Sequence, residues 1–527
     1  MNLLDTYRLY FRDFWPILRD MAARGVPVSE VERGELKALI EREDQRVTVA
    51  VQTLVPQELR GVEPKHGYKR TPKDLTGLVE REFQIEKEEK CSCLKKVRGS
   101  CAVCAGSGII ASGSVVRRWA SPVEFNPNSS HQVKRFMRYL KHPIPKHAKR
   151  LDATGEASDT TEVKELERLF AKTKHPIYPL LIEKRQLSKM EGTYYENFKP
   201  GKDGSVHTTW TFQTATWQLS SRSPCIQNSP VRGKSPFQKT LFESFAKMLT
   251  ASPRHTLVNF DYKSFHAQTT ACEAGLPDYL RLAKIDIHSF NACHFIKHPE
   301  RHGLLKWSDV DLKQFFKELK ADPRIWTNGL TFKEIRDNKT KSAGLGIGFG
   351  MQPRKLYMMY KEDFENQKEA EAIWNLIMRE LFPGLLKWHN EIKQQAAEDK
   401  KLTSRFGATR FFYDCTRWDR KRQAWVGGDQ AEAAIAFLPA SNAFGMIRWG
   451  MLRLKELCLL TKYRLINTKH DSLKFDCPDE LVEECKAQVI PIIQAPCPIM
   501  IYPNVTGPEG LSVEVEAQVG KSDYDLH

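Results

Sequence analysis

The sequence predicts an α+β protein, and three observations carry the prediction. Helical periodicity fills the first ~55 residues, where Leu18, Met21, Val26 and Val28 surround a break at Gly25. It returns from Glu162 to Tyr195, interrupted between Pro176 and Pro179. Strand-like patterns stand apart from these blocks, in HTTWTFQTATWQLSS, in the β-rich run Thr256 to Phe260, and in INTKHDSLKFD, whose alternate apolar residues read as two short strands meeting at His470 and Asp471.

The remaining elements follow in order. Residues 56–120 form a polar insertion rich in Lys, Gly and Cys, with weak periodicity. FNPNSSHQVKRFMRYL opens with turn chemistry and runs into a basic helix, and LDATGEASDTTEV is a loop. Ser264 to Glu273 reads as a helix after Asp261, and FKEIRDNKTKSAGLGIGFGM as another. At ~150 residues per domain, 527 residues make three or four packed units, and 41% hydrophobic content suffices for their cores.

Composition narrows the function classes. No run of ~18 uninterrupted apolar residues is present, so no membrane span is expected. Asp5 and Asp13 lie where a secretory or transit peptide avoids acids, which points to a cytoplasmic protein. Lys and Arg outnumber Asp and Glu by 81 to 65, a net charge of +16 that attracts polyanions; nucleic acid leads as partner over a basic protein with no such role.

Twelve cysteines without a signal peptide argue against a disulfide framework. Cys91, Cys93, Cys101 and Cys104 cluster, and the Cys101–Cys104 knuckle precedes Gly106 and Gly108, which let the chain turn around an ion. Cys91 and Cys93 form a tighter bite than is usual, so structural Zn²⁺ and unliganded thiols are the two readings. Lys87, Lys90, Lys95, Lys96 and Arg98 surround the cluster, either as a zinc-stabilised basic knob on a phosphate backbone or as a solvated loop.

Two acids stand out. Asp261 ends a strand and Asp471 sits at a hairpin tip. One such acid alone is ordinarily a turn or helix-start residue. Two together fit two-metal phosphoryl transfer, in which carboxylates hold two Mg²⁺ (or Mn²⁺) ions ~3.5–4 Å apart. Lys341, Leu345 and Phe349 recur every four residues and share one helix face. That face offers an ammonium to a triphosphate and an apolar shelf to a base, or packs on a neighbour. The surrounding glycines make no P-loop, because G-K-[ST] is missing.

DYKSFHAQ, RDNKTKSAGLGIGFGM and KHDS resemble, in order, motifs A, B and C of the family A DNA polymerases, the DNA polymerase I group, with phage-type members the nearest likeness. FNPNSS, HPIYPLLIEKRQLSKMEGTYYENF, TATWQLSSRSPCIQNSPVR and DIHS extend the resemblance over nearly the whole chain. It implies a right-hand polymerase with an antiparallel β palm, helical fingers and a helical thumb carrying the Cys-rich insertion. Residues 1–208 would be the N-terminal helix and thumb, 209–285 the first part of the palm, 286–426 the fingers and 427–527 the second part of the palm. The implied activity is template-directed extension of a primer 3′ end with dNTPs in phage DNA replication, releasing pyrophosphate. Primer-template DNA and dNTPs are the implied partners of a monomer, alongside a separate exonuclease, helicase or processivity factor. The likeness begins at the thumb-proximal helix, so no proofreading is expected.

By the same resemblance, Asp261 and Asp471 bind magnesium with the backbone of Tyr262, and Lys341 neutralises the triphosphate and protonates the leaving group. His266, His288, Arg336, Lys341, Leu345 and Phe349 meet the nucleotide; Gln218, Ser220, Gln227, Asn228, Arg232 and His470 meet the primer-template. Several positions depart from the family pattern. His266 replaces a Glu that screens the ribose 2′-hydroxyl, and Phe349 replaces the Tyr bonded to it, which leaves His266 as a gate by bulk. Gln218 replaces an Arg and Ala440 a Gln that check the minor groove, so lower fidelity is expected. Ser472 replaces the motif C Glu, and Arg336 lies five residues before Lys341 where the family has four. The rival readings are a single-subunit RNA polymerase or reverse transcriptase, and a noncatalytic nucleic-acid-binding protein with a degenerate site.

Overall fold

The run HTLVNFDY, dense in β-branched and aromatic residues, forms β1 (His255–Tyr262), an inner strand of a four-stranded antiparallel sheet. With β2 (Leu465–Lys469), β3 (Ser472–Pro478) and β4 (Val515–Gly520) the order is β2-β3-β1-β4. The computed structural model describes residues 4, 7–56, 59, 61–63, 79–90, 109–151, 157–212, 214–230, 233, 235–327, 329–360, 363–419, 423–469 and 471–526. The chain divides into two compact units, one comprising Met1–Arg33, Asn197–Val231 and Phe242–His527, the other Gly34–Glu196 and Arg232–Leu241.

The sheet belongs to the first unit. β1 and β3 are buried along nearly their whole length rather than on alternate residues, because both faces are covered. The polar groups this traps are paired. Asp476, fully buried, accepts from the Ser252 N–H at 2.9 Å, the Ser252 hydroxyl at 2.6 Å and Arg464 at 3.3 Å, and Lys474 pairs with Asp523. A helix at Ala431–Glu456 is apolar around most of its circumference and is accordingly buried for most of its length. HTTWTFQTATWQLSS is a short hairpin, Thr209–Thr211 on Ser220–Arg222, with turns between, so its alternation spans less strand than the pattern predicts.

In the second unit, helices occupy Ser130–Tyr139, Val163–Thr173 and Ile177–Lys189. Ser129 caps the first by accepting from the Gln132 N–H, as the turn chemistry of FNPNSS predicts. Residues 56–120 differ from their weak periodicity: Val79–Lys90 pairs with Ile109–Val123 in unbroken antiparallel register, and Gly61–Glu63 adds to the far edge. VEREFQIEKEEK carries charge at most positions, which hides its strand character. Cys91, Cys93, Cys101 and Cys104 lie outside the described residues, so the zinc reading rests on sequence alone. Among the described residues, no helix is long and apolar enough to cross a membrane.

Gly445, in the long helix, lies against the buried Phe406 ring so closely that an added Cβ would collide with it. Helix propensity alone favours alanine by ~1 kcal/mol, but overpacking costs about 1–3 kcal/mol. Gly445→Ala is therefore expected to be neutral or destabilising by up to about 2 kcal/mol in urea denaturation, never stabilising.

Candidate active site

Strand pairing brings the two singled-out acids together. In β1, Asp261 stands opposite Ser472 of β3 and Glu516 of β4, and the Tyr262 N–H donates to the Asp471 carbonyl at 3.2 Å. Asp471 thus sits where β2 turns into β3, beside the end of β1. Both acids line one cavity of about 290 Å³ together with Tyr262, Lys263, His266, Tyr279, His288, Arg336, Lys341 and Leu345. The ring of Tyr262 is buried, stacked at 4.7 Å on Phe265, and its hydroxyl donates to the Ile493 carbonyl at 3.0 Å, so its backbone is what the cavity meets.

Motif B is helical, as its spacing predicts, although Ile335–Lys341 winds as a π-helix before α-helical Ser342–Gly348. Ala343, Gly344, Ile347 and Gly348 pack inward, while Lys341 and Leu345 stand exposed with Phe349 half-buried on the same face. Gly344 approaches His288 so closely that a Cβ there would lie 3.2 Å from Nδ1. His266 meets Phe349 edge-on, centroids 5.6 Å apart, and takes a hydrogen bond at Nε2 from the Gln218 amide at 3.2 Å. The Thr216 hydroxyl donates to Gln218 Oε1 at 3.1 Å, which orients that amide with its N–H toward His266.

The other primer-template candidates lie on the loop that follows Gln218. Gln227 is buried and donates to the Thr468 carbonyl of β2 at 3.0 Å, tying the loop to the sheet. Ser220 and Asn228 lie on the same segment but do not line the cavity. Arg232 and His470 fall outside the described residues. Arg336 lines the cavity, yet its Nε and Nη2 donate to Asp286 at 2.9–3.2 Å and its Nη1 engages Asp337. Its bonds therefore point at protein carboxylates, in keeping with its departure from the family register.

Sequence reading missed three charged groups. Asp286 opens DIHS and caps the helix Ile287–Phe295 by accepting from the Ser289 N–H at 3.1 Å, and its Asp-x-x-Ser spacing was the available signal. Lys263 bridges Glu514 at 2.8 Å and Glu516 at 4.0 Å. Nothing local to β4 marks Glu516, since only pairing with β1 brings it near.

The electrostatics split into two opposed groups. Burial pushes the Asp261 carboxyl up to about 7, with the charges of Asp471 and Glu516 adding to it. Burial likewise lifts Asp471 to about 6, against its own backbone N–H. Burial would raise Asp286 too, but the hydrogen bonds and charge of Arg336, then Ser289 and Lys320, outweigh it and hold that carboxyl at about 2. His288 is pushed down to about 4 by burial, which keeps it neutral. Two desolvated, mutually repelling carboxylates form a hard-oxygen donor set that suits Mg²⁺ or Mn²⁺. Among the described residues no three His, Cys, Asp or Glu side chains converge, so the remaining ligands would be water or phosphate oxygens.

The signs give two pH predictions. Asp261 and Asp471 have raised values, so their contribution to metal-free stability is full below about 4 and is lost as pH rises through about 6 and 7. Asp261→Asn should raise the thermal midpoint of the metal-free protein at pH 8 and leave it unchanged near pH 4. Asp286 is depressed, so its contribution is present above about 4 and lost toward about 2. Arg336→Gln, which leaves that buried carboxylate to Ser289 and Lys320 alone, should cost about 1.5–3 kcal/mol at pH 7 and progressively less toward pH 2, measured by urea denaturation.

A family model described as DNA polymerase family A matches residues 114–302. DNA polymerase I of Helicobacter pylori is 26% identical over 376 residues, covering 70% of this chain and 35% of that protein. The thermostable DNA polymerase I of Thermus filiformis is 25% identical over 422 residues, covering 78% and 42%. The chain thus spans well under half the length of these relatives. The fold is similar to the POL domain of Pol1 from M. smegmatis, solved in complex with DNA primer-template and dNTP, with a TM-score of 0.67 and 17% identity over 99% of this chain and 72% of that one. The chain is thus similar to the DNA polymerases of family A in part of its sequence and to a polymerase domain in its fold.

Proposed function

We propose that the protein is a DNA-directed DNA polymerase, extending a primer 3′ end with dNTPs on a DNA template. The observation that carries this reading is the meeting of Asp261 and Asp471 in one cavity with Lys341. In this reading the four-stranded sheet is the palm, the helices of residues 286–426 are the fingers, and the second unit contains the thumb with its inserted ribbon. Divalent cations, when bound, would lower the cost of the attacking alkoxide and neutralise the leaving pyrophosphate.

The chain's own residues do the rest. Asp261 and Asp471 hold the cations, and desolvation makes their charge felt strongly inside the cavity. Lys341, exposed at the cavity, binds the triphosphate and supplies the proton to the departing pyrophosphate. Neutral His288 donates or accepts a hydrogen bond on the phosphates without adding charge. Leu345 and Phe349 give the incoming base its apolar shelf.

Selection of the sugar falls to His266, a gate held by Gln218 on one side and Phe349 on the other. The bond from Gln218 gives that side chain a positioning role in place of a minor-groove contact, which is consistent with weaker checking of the base pair.

Primer extension by wild type and Asp471→Asn, on DNA and RNA templates with dNTPs or rNTPs, tests it. Wild type should extend on DNA with dNTPs and the variant should lose about 10³-fold or more in rate while still binding DNA. Preference for rNTPs, or for an RNA template, would favour an RNA polymerase or a reverse transcriptase instead, and no extension at all would leave a binding protein. His266→Ala should raise rNTP use relative to dNTP by about 10-fold, measured by single-nucleotide incorporation.

A further inference from the structure

A second surface, outside the cavity, presents aromatic rings to solvent. Strand Thr409–Phe411 pairs with Lys401–Thr403, and the chain beyond it continues to alternate. Phe412 is fully buried, whereas Phe411 is 56% exposed and Tyr413 is 75% exposed. The solvent face of such a hairpin is ordinarily polar, so two exposed rings there call for an explanation. They lie nearly parallel, 6° apart with centroids at 6.3 Å. Lys401 faces Phe411 across the hairpin, and the Tyr413 N–H donates to Gln430 Oε1 at 2.7 Å, which fixes the outer ring's backbone.

The rings continue toward the N-terminus. Tyr7 stacks on Phe11 of the π-helical turn Arg8–Arg12 at 5.8 Å, Trp15 opens the helix Trp15–Arg24, and the three are each about half exposed, at 56%, 46% and 47%. Phe212 meets Phe11 at 5.3 Å and Trp15 at 6.3 Å, and stacks on Trp217 at 6.3 Å. Trp217 in turn donates from its indole N–H to the Thr409 carbonyl at 3.1 Å, and Arg410 donates to the Ala215 carbonyl at 3.0 Å. The same loop carries Gln218, which reaches His266 in the cavity. A continuous chain of contacts therefore joins the exposed rings to the reaction site.

We infer that this aromatic surface, from Tyr7 through Trp217 to Tyr413, binds single-stranded DNA and guides the unpaired template strand next to the cavity. Exposed rings offer stacking faces to any base, and exposed Lys401, paired with Phe411, and its neighbour Lys400 serve the backbone, which is the combination that grips a single strand without sequence preference. The net charge of +16 favours a polyanion over an acidic or apolar occupant of equal shape. The inference goes beyond the polymerase reading and rests on it only for the identity of the strand.

Binding measured by fluorescence anisotropy in EDTA, without nucleotide, separates the two, because no turnover is involved. The probes are a blunt duplex, the same duplex with a 5′ overhang of about 12 thymidines, and the duplex with an abasic overhang. Wild type should bind the thymidine overhang about 10-fold or more tighter than the blunt duplex, and the abasic overhang should lose most of that advantage. Phe411→Ala/Tyr413→Ala should erase the advantage while leaving blunt-duplex affinity and the thermal midpoint unchanged. Equal binding of all three probes by wild type would overturn the inference. So would a variant that weakens blunt duplex equally, or one that keeps the overhang advantage but loses a self-association seen by sedimentation in wild type, which would assign the surface to a second copy of the chain.

Discussion

The cross-strand register of β1 is the constraint on which the site depends. Asp261 and Asp471 are separated by most of the length of the first unit's sequence, and only the bond from the Tyr262 N–H to the Asp471 carbonyl and the pairing of Asp261 with Ser472 make them neighbours. A slip of one residue would turn Asp261 to the opposite face of the sheet and bury it beneath the helices. The register is correspondingly well specified. The buried polar partners of β3 help to set it, since Asp476 pairs with Ser252 and Lys474 with Asp523 and a shifted strand would leave these groups unpaired.

That rigidity lets the site hold an unfavourable charge arrangement. Two carboxylates are kept desolvated and close enough to repel, while Arg336, which lines the same cavity, and Asp286 satisfy each other. The contrast separates a structural ion pair from a site that lacks a countercharge. Lys263, the nearest cation on the same strand segment, is drawn off by Glu514, so it does not quench the pair. A carboxylate pair without its own countercharge, in a cavity that also presents Lys341, is suited to receive cations along with an anionic substrate.

The sequence made some of this legible and hid the rest for physical reasons. Asp261, Asp471 and Lys341 were readable because each ends or faces a regular element whose period is local, and because their motifs occur in order. Glu516 was not, since its proximity comes from a strand pairing across a long sequence separation that no local pattern records. Arg336 could be named from its motif, but its partner Asp286 lies fifty residues away on another helix. The hairpin carrying Phe411 and Tyr413 defeats reading from hydrophobicity alone, because an aromatic residue at an alternating position looks the same whether it points to the core or to solvent. The paired strands of residues 79–123 were hidden by their charge, which suits a ribbon but obscures the apolar alternation used to find strands.

That ribbon has one further consequence. Its pairing runs without a bulge from Val79 and Ala120 to Lys90 and Ile109. Excising two facing residues from each strand would preserve both the pairing and the orientation of everything that remains, so its reach is adjustable in steps of roughly 7 Å. Evolution, or a designer, can thus lengthen or trim this arm like a telescoping rod without disturbing the helices at its base.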